Sequence, residues 1–510
     1  MITPGDPGAH DVLFAIDSTQ QAHPISPFVY GSNQGDLTAE AKGVTMTRVG
    51  GNRLTAYNWE TNASNAGNDY QYENDAYIST SSVAGDPMKK AVSAAYASNA
   101  SIIMTVPMAG YVSADESGPC PSNPSAAQIA QHFFPIVPKK GNAAAYPPDL
   151  TDKKVYADEF VSWLEGQFPE AQTDPSRRIF YMLDNEPDLW SSTHSEIHPT
   201  PVTYAELSQK SIDLATAIKG VAPQALVFGP ASYGWQGYVT LQNASDASGR
   251  DFLEYYLDQM KAAEGTAGKR LLDSLDVHWY PEATGDGARI VDDGTGAGEV
   301  EARLQAPRSL WDSTYTETSW ITQYSTNGPI RLVPRLLEKI AAHYPNTKLS
   351  ISEYNYGAGG DISGGLAEAD ALGVFGREGV FAASVWLTSS KNDYLFAGIA
   401  MFRNFDGKGG AFGDTSISLA NDSIDKTSAY ASVSSSDGTN VVVVAVNKET
   451  TTVNAGITLT HTAHLGKADV YQLTASGSKP VAAAGLTETA TNAFVYAMPA
   501  RSVTTLVFHP

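Results

Sequence analysis

The sequence predicts an α/β fold, a (β/α)8 barrel of the TIM type, carrying a β-sandwich domain built from the N-terminal strand and the C-terminal region. Two observations point there. Eight short, β-branched apolar runs lie before residue 390, several of them separated by helical patterns. After about Phe412 strand-like segments alternate with Ser, Thr, Gly and Asn clusters, and no amphipathic helix remains. A chain of 510 residues allows more than two average domains, but barrels run past about 250 residues as one unit, so two domains are expected. The boundaries are 27–410 for the barrel, and 1–26 together with 411–510 for the sandwich.

The barrel strands read as Phe28–Asn33, Met46–Gly51, Ser101–Met108, Ile179–Asn185, Ala225–Pro230, Ser274–Tyr280, Lys348–Asn355 and Val380–Leu387. The clearest helices are Tyr204–Val221, Phe252–Glu264, Leu332–His343 and Leu366–Gly376. In the second of these, Leu253, Tyr256, Leu257 and Met260 share one face. Val441–Asn447, Ala468–Leu473 and Val503–Phe508 read as sandwich strands. Val12–Ile16 alternates well enough to join them, which would clamp the two domains together.

Composition removes several function classes. Lys and Arg number 33 against 55 Asp and Glu, a net charge of −22, which repels nucleic acid and anionic membranes and suits a neutral substrate. One cysteine, Cys120, excludes an intrachain disulfide and a cysteine-rich zinc site. No run of 18 apolar residues appears. Met1–His10 is polar, with Pro4, Gly5, Pro7 and Gly8, and is no signal peptide. The expectation is a secreted, monomeric protein whose export signal lies outside this chain. No Ser-His-Asp elbow, phosphate loop or dinucleotide fingerprint stands out, so no organic cofactor is expected.

Chemistry concentrates at strand ends, where barrels keep their sites. The run Tyr181-Met182-Leu183-Asp184-Asn185-Glu186-Pro187 ends strand four in a glutamate, and Leu349-Ser350-Ile351-Ser352-Glu353 ends strand seven in another. The two strands face each other across the barrel mouth, so the pair can flank a bound sugar. A separation of about 5–5.5 Å implies retention through a covalent glycosyl-enzyme, and about 6.5–9.5 Å implies inversion. In the retaining case Glu186 stays protonated while Glu353 is ionised. Asp184 is equally well a structural partner. Strand six closes in Asp276-Val277-His278-Trp279-Tyr280, where Tyr280 can donate to the nucleophile and His278 can touch substrate or carboxylates. Strand two supplies Arg48, whose charge would hold Glu353 ionised, followed by Asn52, and by Arg53, which reads as reaching into a loop.

The segments Gly51-Asn52-Arg53-Leu54-Thr55-Ala56-Tyr57-Asn58-Trp59-Glu60, Asp184-Asn185-Glu186-Pro187, Asp276-Val277-His278-Trp279-Tyr280-Pro281-Glu282 and Ser352-Glu353-Tyr354 resemble glycoside hydrolase family 44. The resemblance covers nearly the whole chain. It implies a retaining endo-β-1,4-glucanase or xyloglucanase, with Glu186 as acid/base, Glu353 as nucleophile and Asn185 on the sugar 2-hydroxyl. The implied partner is a β-1,4-linked plant cell-wall polysaccharide. Tyr324 departs from the pattern, since a second tryptophan is expected there. Sugar rings need flat apolar platforms; Trp59, Trp190, Trp320, Tyr324 and Trp386 lie near strand-end loops, and about half of them are expected to touch sugar. Trp163 reads as packing. The resemblance also implies a structural calcium, and Glu60, Asp149, Asp152 and Asp158 are its candidate ligands because hard carboxylate oxygens suit that ion. His194 and His198 are four apart, but Pro199 follows and a loop is expected rather than a zinc helix. Main or dual activity on xylan or mannan is an alternative, and a non-catalytic polysaccharide-binding protein is an alternative of another class.

Overall fold

The computed structural model describes residues 1–33 and 43–510. Eight parallel strands close a barrel in chain order: Phe28–Asn33, Met46–Val49, Ser101–Val106, Ile179–Leu183, Val227–Ser232, Ser274–Trp279, Lys348–Tyr354 and Ala382–Val385. Nearly every residue of these strands is buried, as expected of parallel strands covered by helices outside and filled by side chains inside. The filling changes with height. At the N-terminal end the rings of Phe28, Phe180, Phe228 and Phe381 meet at 5.0–6.1 Å. At the C-terminal end Asn33, Arg48 and Asn185 replace them, all buried. An apolar floor thus carries a polar ceiling, and the site is built in that ceiling.

All eight strands expected from sequence are present, with shifted ends. Met46–Gly51 stops at Val49, since Gly51 turns the chain at φ 89°. The fifth strand begins at Val227, whose N–H goes to Asp273 Oδ2 at 2.8 Å, and runs on to Ser232. The helix read as Leu366–Gly376 spans Ile362–Glu378, capped by Asp361. Gly364 lies inside it because a Cβ there would stand 2.1 Å from the Ala358 carbonyl oxygen, so that glycine serves close packing rather than a helix break. Phe252 begins a helix that continues to Ala267 and stops at left-handed Gly268. Among the described residues no helix is long and apolar enough to cross a membrane.

The C-terminal strands and Val12–Asp17 form a hydrogen-bonded path of nine, with His23–Pro24 paired beside it, that folds over its own core of Val12, Phe14, Val443, Ile457, Phe494 and Leu506 among others. Val12–Asp17 belongs to it, antiparallel to Thr415–Asn421 and parallel to Val453–Thr460. The sandwich is fastened to the barrel through the helix Ile362–Glu378. Asp370 on that helix bonds Lys448 Nζ at 2.9 Å, Ser428 Oγ at 2.9 Å and the Tyr430 hydroxyl, and the first pair is almost wholly buried. The Tyr430 ring presses on Gly373, where a Cβ would come within 2.1 Å of it.

Candidate active site

Strand four delivers Glu186 through a constrained turn. Asp184 and Glu186 both have positive φ, 64° and 43°, a conformation that costs about 1–3 kcal/mol each and needs support. Asp184 provides it. Its buried carboxylate accepts the Thr55 hydroxyl at 2.6 Å, the N–H groups of Asn185 at 2.7 Å and Ala109 at 3.0 Å, and that of Met108. Burial pushes this carboxyl up, and those donors work against the shift without cancelling it. The Glu186 N–H goes to the Ala231 carbonyl at 3.0 Å, tying the turn to strand five. Asp184 is therefore the scaffold of the turn.

The Glu186 carboxylate meets His278 Nδ1 at 2.8 Å, and the same nitrogen lies 3.5 Å from Glu353 Oε2. One donor atom from each of Glu186, His278 and Glu353 lies within 4.8 Å of the others. Glu353 also accepts Arg48 Nη1 at 2.5 Å on Oε1 and the Tyr280 hydroxyl at 2.8 Å on Oε2. Burial raises the Glu353 carboxyl, but the charges of His278 and Arg48 and these hydrogen bonds outweigh it, leaving Glu353 below the ordinary carboxylate range. For His278 burial favours the neutral ring, yet the charge of Glu353 and the bond to Glu186 win, so its pKa is raised.

Arg48 is fully buried and held from several sides. Asn33 Oδ1 accepts from it at 3.1 Å and Asn185 Oδ1 at 2.6 Å, while Asn33 Nδ2 anchors to the Ser352 and Ser384 carbonyls at 2.9 and 3.2 Å. A Cβ on Gly50 would stand 2.4 Å from the guanidinium carbon, so only glycine fits against this charge. Asn185 Oδ1 also takes the Gly51 N–H at 3.3 Å. Beneath His278, Asp276 accepts Ser350 Oγ at 2.5 Å and Ser352 Oγ at 2.6 Å, and burial pushes it up to about 6. Asn33 and Asp276 escaped the sequence reading as site residues. Both terminate or interrupt apolar strands with a polar side chain, the same signal that exposed the glutamates.

Around this core the aromatic residues divide. Trp386 and Asn52 line a cavity of about 550 Å³ with Gly51, Asp69, Tyr77 and Ile78, on the side of strands two and eight. Asn52 Nδ2 donates to Asp69 at 3.0 Å, and Arg53 pairs with Asp75 at 2.6 Å in the loop. Trp320 and Tyr324 are 37% and 73% exposed. Their segment is attached after strands five and six, through Trp235 Nε1 to Ser325 Oγ at 2.7 Å and Thr284 N–H to the Thr318 carbonyl at 2.9 Å. Trp59 is no platform. It is 2% exposed, stacked 5.6 Å from Trp163 and 5.8 Å from Phe160, because the chain after Asn58 dives under the loops into the core. Trp190 is likewise fully buried, 5.1 Å from His198.

The acidic loop residues gather unevenly. Glu60 is 5% exposed, and its carboxyl is pushed up to about 8 by burial first, then by Glu159, Asp152 and Asp149. Asp158 anchors a loop, both its oxygens accepting the Lys140 N–H at 3.0 and 3.1 Å. Glu159, which sequence reading passed over, is the charge Glu60 feels most: Lys140 and the Ala145 N–H share its Oε1, and its buried Oε2 has no partner among the described residues. His194 is used internally, bonding Glu196 at 2.8 Å and the Asn52 carbonyl at 2.8 Å, while His198 turns to Glu206 at 2.9 Å. The two histidines make no zinc site.

Comparison with known proteins follows the same lines. A model of glycoside hydrolase family 44 matches residues 63–283. Endoglucanase A of Paenibacillus lautus is 41% identical over 507 residues, spanning 96% of this chain and 71% of that protein. The crystal structure of Cel44A, a family 44 endoglucanase from Clostridium thermocellum, superposes with a TM-score of 0.92 at 39% identity, over 98% of this chain and 100% of that one. A Paenibacillus polymyxa xyloglucanase with xyloglucan gives a TM-score of 0.92 at 37% identity, over 98% and 99%.

Proposed function

This chain belongs to glycoside hydrolase family 44, and from that premise we propose that it cleaves β-1,4-glucan backbones internally, by double displacement with retention. The observation that carries the reading is the close approach of Glu186 and Glu353 across the mouth, one oxygen of each lying within 4.8 Å of the other and both reaching His278 Nδ1, at 2.8 and 3.5 Å, which supports the closely spaced pair of a retaining enzyme. Glu353, kept ionised and aimed by Arg48 and Tyr280, attacks the anomeric carbon. Glu186 gives its proton to the departing glycosidic oxygen as that bond breaks, and an ester links Glu353 to the sugar. A water molecule then attacks the same carbon, Glu186 takes its proton, and the Glu353 carboxylate leaves. Asn185 has its amide oxygen committed to Arg48 and Gly51, which leaves its Nδ2 for the sugar 2-hydroxyl.

Endo action is supported by where the open surfaces lie. The Trp386 cavity and the Trp320–Tyr324 segment hang from opposite sides of the barrel, with the carboxylate pair between them. A chain can thus enter on one side and leave on the other. The relatives named for glucan and xyloglucan cleavage make those two polymers the favoured substrates. A polymer too large to enter a cell supports action outside it. Reducing-end release from carboxymethylcellulose, xyloglucan, xylan and mannan should be fastest on one of the first two. Proton NMR of the first product should show the β anomer ahead of mutarotation, and an α product would remove the double-displacement reading.

We propose that a hard cation such as calcium binds beside Glu60: its buried carboxylate, pushed up by the charges of Glu159, Asp152 and Asp149, would be relieved by one, and the unpartnered Glu159 Oε2 offers an oxygen, although these carboxylates do not converge within 4.8 Å of one another in this structure. Such an ion would fasten two loops far from the glutamate pair and take no part in the reaction. A strong chelator is therefore expected to lower the melting temperature by several degrees, with calcium restoring it and the ranking of polysaccharides unchanged. An unaltered melting curve would remove the site.

A further inference from the structure

The loops after the second barrel strand present a large ring that the double displacement does not use. Tyr77 is 76% exposed, and its ring lies over the Arg53 guanidinium, whose carbon is 4.1 Å from the ring centroid. Asp75 fixes both partners of that stack. Its Oδ1 accepts Arg53 Nη1 at 2.6 Å and the Tyr77 N–H at 3.0 Å, and Arg53 Nη1 also donates to Ser64 Oγ at 3.2 Å. Single exposed apolar side chains are ordinary and need no function. A ring clamped on one face by a held cation and left in water on the other is different, because its orientation is set before any ligand arrives.

The same ring lines the cavity of about 550 Å³ beside Trp386. The inner wall of that cavity touches the reacting pair's own supports. Gly51 gives its N–H to Asn185 Oδ1 at 3.3 Å, and the Trp386 N–H goes to the carbonyl of Tyr354, the residue after Glu353, at 2.9 Å. Trp386 packs over Gly51, where a Cβ would stand 2.7 Å from its ring. Tyr77 stands at the exposed rim, and Asn52 and Asp69, bonded to each other at 3.0 Å, add polar groups to the same wall. Two aromatic faces with an amide and a carboxylate beside them match a neutral pyranose chain, which offers C–H faces and a rim of hydroxyls.

We propose that Tyr77, seated on Arg53, is a stacking platform for a backbone glucose remote from the scissile bond, and that it makes the enzyme prefer long chains. The inference rests on the reading of the chain as an endo-acting glucanase and extends it to the outer end of the Trp386 cavity. A contact made that far from the reacting carbon is equal in the ground state and the transition state, so it acts on KM rather than on kcat.

The test compares a long substrate with a short one. In Tyr77→Ala the ratio of kcat/KM for cellohexaose to that for cellotriose should fall about 3- to 10-fold, through KM. Tyr77→Phe keeps the ring and should recover most of the ratio. A wild-type ratio in Tyr77→Ala, an equal fall in Tyr77→Phe, or a fall carried by kcat alone overturns the proposal. Should Tyr77→Ala fail to fold, chemical modification decides. In Glu353→Ala, which leaves the oligosaccharide uncut, saturating cellohexaose should slow nitration of Tyr77 by tetranitromethane several-fold, read by peptide mass spectrometry. An unchanged nitration rate overturns it. Nitration needs no cleavage, so the two failures are distinguishable. Protection of Tyr77 with no cutting of cellohexaose by the wild type would sink the glucanase reading and support the platform, whereas cutting without protection would do the reverse.

Discussion

Glu353→Ala is expected to lower turnover of every substrate by about 10⁵- to 10⁶-fold, because it removes the carboxylate that forms the bond to the anomeric carbon. Its Oε1 and Oε2 sit against Arg48 and Tyr280 at 2.5 and 2.8 Å, so the variant opens a small gap lined by hydrogen-bond donors. Azide fits such a gap. With Glu186 still able to protonate the leaving group, azide should attack from the vacated side and yield the α-glycosyl azide, inverted relative to the substrate. A β-azide from this variant would sink the assignment. Stability should fall too, since Arg48 is fully buried and loses its counter-charge, a loss of about 3–5 kcal/mol for a broken buried pair. The amide oxygens of Asn33 and Asn185 remain to receive its other hydrogens. The sign with pH follows from the depressed Glu353 carboxyl. Its stabilisation is complete above the unfolded carboxylate range and is lost as pH falls through the lower folded value. Urea melts of the wild type and of Glu353→Ala should therefore converge on acidification.

Glu186→Ala should fail differently. Polysaccharide cleavage needs both the acid and the base, and activity there should drop by roughly 10³- to 10⁴-fold or more. A dinitrophenyl cellobioside needs no acid, so its first step should survive with a burst of phenol. The second step lacks its base, and the glycosyl ester on Glu353 should accumulate to the point of detection by intact-protein mass spectrometry. Azide should then release the β-glycosyl azide, with retained configuration, and raise the steady rate. Absence of both the burst and the mass adduct would leave Glu186 without the role. His278 tells the two variants apart further, since its raised pKa comes from Glu353 charge and the Glu186 bond together, and each substitution removes one of them.

Much of this was legible in the chain because a barrel writes its chemistry at strand ends. Glu186, Asn185, Glu353 and Tyr280 each follow an apolar run, and parallel strands bring such ends to one face whatever their separation in sequence. Helix limits were harder, since Gly364 and Gly365 look like breakers until the contacts that demand them are known. Trp59 misled because a tryptophan after a strand end reads alike whether its loop stands out or folds under, and only tertiary packing against Trp163 and Phe160 decides. Asp158 and Glu159 read alike in sequence, yet a one-residue step on a helix points two carboxylates in different directions.

The parallel seat of Val12–Asp17 beside Val453–Thr460 has a consequence for how the molecule comes into being. Asp11 finds its hydrogen-bond partner Asn454 across 443 residues of chain. During synthesis at about 5–20 residues per second, that first strand waits roughly 20 to 90 seconds before its neighbour leaves the ribosome. Phe14 and Ile16 are exposed apolar edges all that while, whereas the barrel between them can assemble from near-neighbour units. Closing the sandwich is then a late, long-range event, and any nascent chain halted before Thr415 carries an unpaired strand open to aggregation.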